Sequence, residues 1–351
     1  MTSTTGTRIP VKESSLVPAR PPVARPFSWR GAKARGIVYQ VLAVAVIALL
    51  GWLLVSNTLA NMRARGIQSG FDFLSQSAGF DIGENWFNYE ATSPYWKAFL
   101  VGLMNTLRVA VIGCVLATLL GTLLGVARFS RNALLRGLSY GYVELFRNIP
   151  LLLQLLVWYL LFIEYLPAAN EALNIGKFIF LSKNGLAFPS FVWDQGHLIF
   201  QVPIAGEIQV EGGGSLSPEF MAVLLGLVFY TSAFIAEVVR AGIASVPAGQ
   251  REAGASIGLS RARTMRLIVL PQALRLIIPP LTNQYLNLTK NSSLAVAVGY
   301  PELVSIANTS MNQSGRAVEC IAIIMAVYLT LSLITSALMN RFNRRVAIRE
   351  R

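Results

Sequence analysis

Ile37 to Ala60 reads IVYQVLAVAVIALLGWLLVSNTLA, a run with no Asp, Glu, Lys, Arg or His. About 20 apolar residues in a helix cross the hydrocarbon core of a bilayer, so this stretch alone predicts a membrane span. Four more pass the same test: roughly Thr106 to Ala127, Val143 to Leu166, Phe220 to Val239 and Cys320 to Met339. A sixth, Leu274 to Val298, is long enough but carries Pro279, Pro280, Asn283, Gln284, Asn287 and Lys290. The expected fold class is an all-α integral membrane protein with about six transmembrane helices.

Composition agrees. Of 351 residues, 54% are hydrophobic and only 13% charged, with a mean hydropathy of +0.54. A soluble domain is about a quarter charged, so this chain has too little polar surface to cover a globule in water. Its net charge of +13 raises nucleic acid as a partner. The basic residues, however, cluster beside apolar runs and form no basic helix interleaved with aromatics, which argues against that class. Cys114 and Cys320 both lie within apolar runs and read as small packing residues rather than a disulfide or metal pair. The single His197 has no ligand partners in the pattern. The polar, Pro-rich first 36 residues and the lack of a small-residue cleavage site predict no cleavable leader.

Charge asymmetry sets the orientation. With the N-terminus in the cytoplasm and six spans threaded, the inner segments hold 22 of the 30 basic residues. These are Arg8, Lys12, Arg20, Arg25, Arg30, Lys33 and Arg35, then Arg128, Arg131, Arg136 and Arg147. Arg240, Arg251, Arg261, Arg263, Arg266 and Arg275 follow, and Arg341, Arg344, Arg345, Arg349 and Arg351 close the chain. The outer side collects 12 of the 17 acids, among them Asp72, Asp81, Glu84, Glu90, Glu207 and Glu211. Two outer segments, Asn61 to Lys97 and about Pro167 to Glu219, are too short for a binding domain and read as loops or caps. Within the second, the apolar stretch Leu198 to Ile204 is too short to cross the membrane but could graze it.

The longest inner loop, Gly242 to Pro271, reads GIASVPAGQREAGASIGLSRARTMRLIVLP. Pro247 suits the first turn of a helix, Gln250 to Ile257 can form a short one with small Ala253, Gly254 and Ala255 on it, and Gly258 breaks it. Ser260 to Val269 reads as a second, amphipathic helix with Arg261, Arg263 and Arg266 toward water and Met265, Ile268 and Val269 toward an apolar neighbour. Pro271 is expected to end it. A short helix of small residues lets a foreign backbone approach closely, as a permease driven by a separate ATPase requires; an ordinary interfacial loop is the plainer alternative.

The residues Glu252-Ala253-Gly254, then Gly258, then Ile268-Val269-Leu270-Pro271 resemble the EAA signature of bacterial ABC importer permeases, with glycine in place of the second alanine. The stretches Glu144 to Leu151, Tyr230 to Gly242, Pro271 to Pro280 and Asn287 to Leu294 resemble the polar and general L-amino-acid branch; Asn105 to Arg108 matches its entry segment in part. The resemblance covers about residues 98 to 345 and implies a type I importer permease fold. It leaves 1–36 as a basic cytoplasmic tail, 37–97 as an added first helix with its outer loop, 242–271 as the coupling loop and 346–351 as a cytoplasmic tail. It also implies that Glu252 contacts the ATPase and that Gly258 permits the turn, with Ala253, Gly254, Ile268, Leu270 and Pro271 in the same ATPase-coupling loop. The implied partners are two ATPase subunits that use the ATP, a second identical or homologous permease subunit, a periplasmic binding protein and an amino-acid substrate in the inner membrane.

Asn283, Asn287, Lys290 and Asn291 recur at three- and four-residue steps, with Ser292 and Ser293 just beyond. A cation at mid-membrane costs about 2.5–3.5 kcal/mol on insertion scales, so Lys290 needs a reason to be there. Polar groups at that depth face protein or a water-filled path. Amides and hydroxyls can accept from an ammonium and donate to a carboxylate without fixing side-chain charge, so these residues are candidate pathway contacts; hydrogen bonding between helices is the alternative. Glu237 and Arg240 are spaced for an i,i+3 ion pair, and Arg147 to Pro150 reads as an interfacial anchor with a kink. No phosphate-binding GxxxxGK[ST] loop occurs, and no catalytic constellation stands in a suitable context. The chain is expected to bind no cofactor and to be no enzyme. An ion-coupled secondary transporter is the rival, but it calls for inverted repeats with a broken helix in each half, and only one such segment is present.

Overall fold

The computed structural model describes residues 32–346 except 65, 67–68, 86–87, 177, 195–196 and 207–209. Arg8, Lys12, Arg20, Arg25, Arg30, Glu207, Arg349 and Arg351 lie outside the described residues. The chain divides into two units, Met1–Ile67 and Gln68–Arg351. In the first, α1 (Ala32–Ala64) is apolar on every side, with Val44, Ile47, Trp52 and Leu54 all exposed. A helix apolar all round belongs in lipid or a core.

The second unit holds α2 (Tyr95–Ala127), α3 (Ala133–Asn148), α4 (Leu151–Tyr165), α5 (Pro218–Ala244), α6 (Ala248–Ser256), α7 (Arg261–Thr264), α8 (Leu270–Asn291), α9 (Leu303–Ser314) and α10 (Ala317–Val346). Across the described residues of both units, five helical runs are long and apolar enough to cross a membrane, and six if the bent pair α3–α4 forms one span. The fold is the expected multi-pass helical one.

Two boundaries differ from expectation. Val143 does not begin the third span: it is buried on α3, and the chain turns by 104° before α4. Pro150 has no N–H to continue a helix and forces Ile149 into an extended conformation (φ −93°, ψ 126°). The expected kink is thus a full break. Pro271, conversely, ends nothing. Residues 261–291 are helical throughout, with a π turn at Met265–Val269. Pro271 cannot donate to the Leu267 carbonyl and its ring crowds that group. The wider π turn, in which Leu270 N–H bonds the Met265 carbonyl, immediately precedes it.

The core is the contact of α2 with α5. Gly121 and Gly125 of α2 lie so close to α5 that a Cβ at Gly121 would stand 2.7 Å from Ile235 Cβ, and one at Gly125 2.8 Å from the Ala236 carbonyl oxygen. Small residues four apart permit such approach, which in lipid replaces the hydrophobic effect as the source of helix association. At the inner end the same face continues into Arg128, whose Nη1 lies 2.5 Å from Glu237 Oε2.

At the outer end Arg108 Nη1 bonds Glu84 Oε2 at 3.0 Å, and Arg108 Cζ lies 4.1 Å from the centre of the Phe220 ring. Asn105 donates to the Glu84 and Pro301 carbonyls, and Ser217 donates to Glu84. Buried Glu302 caps α9 by accepting from Val304 and Ser305 N–H, and from the Tyr328 hydroxyl. Burial pushes its carboxyl from 4.5 up to about 7 despite those donors.

Among the described residues between α4 and α5, the second outer segment has one 3₁₀ turn (Ala169–Glu171) and is otherwise strand and connecting turns. It folds as β1 (Leu173–Ile175), β2 (Ile179–Ser182), β3 (Gly185–Phe188), β4 (Ser190–Asp194), β5 (His197–Gln201), β6 (Ile204–Ala205), β7 (Val210–Glu211) and β8 (Gly214–Leu216). The order β1-β2-β3-β8 makes one antiparallel sheet, with β4–β5 and β6–β7 as separate hairpins. The apolar stretch Leu198 to Ile204 is largely strand β5, paired with β4.

Gly121→Leu and Gly125→Leu should each lower the yield of folded, monodisperse protein in size-exclusion chromatography, since overpacking costs about 1–3 kcal/mol. Gly137→Leu, with open space at its Cβ, should not. Because Glu302 binds its proton more tightly folded than unfolded, its contribution favours the fold below pH 4.5 and fades as pH rises to about 7. Glu302→Gln should flatten that part of the pH dependence of the melting temperature.

Candidate coupling loop and transport pathway

Helix α6 stands at the inner end of α5 because Pro247 occupies its N-cap and Arg251 reaches back, Nη2 donating to the Ile243 carbonyl at 3.2 Å. That carbonyl lies in the last turn of α5, where helical partners run out. The other end closes as a Schellman motif: Leu259 N–H bonds the Gly254 carbonyl and Gly258 N–H bonds that of Ala255, each at 3.0 Å. Gly258 adopts φ +79°, a left-handed conformation that strains other residues. Ser260 then caps α7 through Arg263 N–H.

Gly254 is buried against α7 and the π turn; a Cβ there would lie 3.0 Å from Thr264 and 3.1 Å from Ile268 Cδ1. Alanine, which the EAA pattern has at this position, would press on those two side chains. Glu252, Ala253, Ala255 and Ile257 are exposed, Ile257 by 74%. Of the other loop candidates, Ile268 and Pro271 are half-buried and Leu270 exposed. The outcome is a rigid knob with its small-residue flank and one aliphatic tip facing outward. Its support was partly illegible in the sequence. Glu237 and Arg240 form the expected ion pair (Nε to Oε1, 3.0 Å). Arg128, more than a hundred residues away, completes it, and Arg251 docks the knob; neither contact has a local signal.

On α8, Asn283, Asn287 and Lys290 are exposed together with Leu276, Pro279 and Pro280. At 3.6 residues per turn these six fall within an arc of about 100°. Pro279 and Pro280 also leave the Arg275 and Leu276 carbonyls without their i+4 donors. Asn291 is half-buried, Ser292 is buried and donates to the Thr289 carbonyl, and Ser293 donates to that of Lys290 in the 3₁₀ turn Ser292–Val298. The structure therefore gathers three of the six candidates on one open face and turns Ser292 inward. Among the described residues no group of three or more His, Cys, Asp or Glu could hold a metal ion.

Residues 117–348 match the model of the family described as the binding-protein-dependent transport system inner membrane component. This chain belongs to that family. It is 41% identical to the general L-amino acid transport system permease protein AapQ of Rhizobium johnstonii, covering 93% of this chain and 96% of that one. It is 42% identical to the putative amino-acid ABC transporter permease protein YhdX of Escherichia coli K12, over 93% and 97% of the two chains. A crystal structure of an amino acid ABC transporter with histidines superposes with a TM-score of 0.53 at 27% identity, covering 72% of this chain and 95% of the other. A methionine ABC transporter in an inward-facing conformation, 18% identical with a TM-score of 0.50, shares the fold. The chain is an ABC importer permease of the type I fold.

Gly258→Val should lower the melting temperature by the equivalent of about 1–2 kcal/mol, the cost of forcing a side chain into the left-handed region. The check is thermal unfolding of the purified complex, with Gly249→Val as control, since Gly249 has open space at its Cβ.

Proposed function

We propose that this permease carries L-amino acids, with broad preference among polar ones, across the inner membrane, powered by two ATPase subunits and supplied by a periplasmic binding protein. The relatives named as amino-acid permeases support the substrate class. The observation that carries the mechanism is the exposed, doubly braced α6. A knob capped by Gly258, held by Arg251 and packed through Gly254 transmits a push because it cannot bend locally. Glu252, Ala253 and Ile257 are the contact surface toward the ATPase; Ile268, Leu270 and Pro271 carry the push into α8.

The open stripe of α8 is the substrate path. Asn283 and Asn287 offer both donors and acceptors, Lys290 meets the carboxylate, and Asn291 and Ser293 flank them, with Ser292 shaping the turn. Exposed amides at membrane depth require water or a partner, and a second permease subunit closing over this face supplies the far wall of a hydrated path.

ATPase stimulation of the reconstituted complex by a panel of amino acids, with the binding protein present, tests the reading; stimulation by none of them would overturn it. Glu252→Trp should cut uptake at least tenfold while the chain still inserts and assembles. Asn287→Leu should reorder the preference among amino acids; a change in expression alone would reassign that residue to packing.

A further inference from the structure

We propose that the β4–β5 hairpin of the outer cap lies in the outer headgroup boundary of the membrane, so that the cap is a lipid-anchored element rather than a loop held in water. The cap begins and ends at membrane level. On the antiparallel pair α4–α5, Leu155 Cα would lie 3.5 Å from a Cβ at Gly226. Ten residues of helix, about 15 Å, then bring Tyr165 level with Ser217, the N-cap of α5. The apolar run of α5 starts at Phe220. The connections into and out of the cap therefore sit at the outer edge of the hydrocarbon, and Tyr165 itself is 82% exposed there, in the manner of an interfacial aromatic.

From that edge the cap displays a surface unsuited to water. Phe191, Leu198, Phe200 and Ile204 are 57–70% exposed, and Phe191 and Phe200 stack across the hairpin at 5.2 Å. Between Lys183 and Glu207 the only formal charge is Asp194, at the hairpin turn. The first outer loop, by contrast, carries Asp72, Asp81, Glu84 and Glu90. The hairpin touches the rest of the cap at its base, where Ser190 lies against Gly214, and the exposed apolar side chains beyond call for a covering phase. Lipid fits because the feet of the cap are at the membrane edge, and the headgroup boundary still supplies water to the outward-pointing backbone groups that the five β4–β5 pairs, from Ser190↔Gln201 to Asp194↔His197, leave open. Continuous with this hairpin through Pro189, β3 begins at the Lys183-Asn184 turn, which lines a cavity of about 720 Å³ together with Asp81, Glu84 and Glu219. Anchoring the hairpin thus holds one wall of the outer mouth in place.

The test uses the assembled complex in nanodiscs. A bimane label on Leu198→Cys, in a Cys114→Ala, Cys320→Ala background, should lose at least half its emission when the acyl chains are brominated, and a label on Asp72→Cys should not. Labels equally insensitive to brominated lipid would overturn the proposal, as would a position 198 shielded only once the binding protein is added. Hydrogen exchange of the unmodified complex gives an independent reading. The amides of β4–β5 should exchange at least tenfold more slowly in nanodiscs than after transfer to a short-chain detergent, with or without binding protein. Equal exchange rates in the two would also sink the idea.

Discussion

A backbone N–H or C=O inside hydrocarbon has no water to bond, so each must be satisfied by the protein, and the architecture follows from that demand. It makes the spans helical and determines what happens where proline interrupts. Pro150 is met by a clean break, after which α3 and α4 point in directions 104° apart. Pro271 is absorbed by a π turn that keeps 261–291 helical. Pro279 and Pro280 sit inside α8 without breaking it, and both are exposed on its open face. The same residue type thus stops, widens or merely opens a helix according to what surrounds it.

Given helices, the next constraint is how they hold together without a hydrophobic drive. Gly121 and Gly125 bring α2 and α5 almost backbone to backbone, and Arg128 with Glu237 and Arg240 locks the inner end. The outer end is tied by Glu84, Arg108 and Ser217. A pair fastened at both ends moves as one body, so the α6 knob hanging from α5 has a stiff lever behind it.

Much of this was legible in the amino-acid pattern. The spans are runs of apolar residues, and the knob is marked by Pro247, Gly258 and the small residues between them. The open stripe of α8 follows from helical spacing of Asn283, Asn287 and Lys290. Those features are local: they need only the 3.6-residue period and the conformational preferences of proline and glycine. The β cap was not legible, because its strands are two to five residues long and register with partners such as β8 that are distant in the chain. Nor was the inward turn of Ser292, which depends on a short 3₁₀ segment following α8.

The sequence by itself determined that this chain is a multi-pass helical membrane protein and that a short helix of small residues, ended by Gly258, follows α5. Those conclusions rest on transfer free energies and backbone preferences that each residue carries wherever it is. Only the tertiary structure decided that Arg128 meets Glu237, that Gly254 is packed tightly against Thr264 and Ile268, and that most of the second outer segment is strand. Those depend on side chains arriving from remote parts of the chain, and closeness in space has no signature in sequence separation.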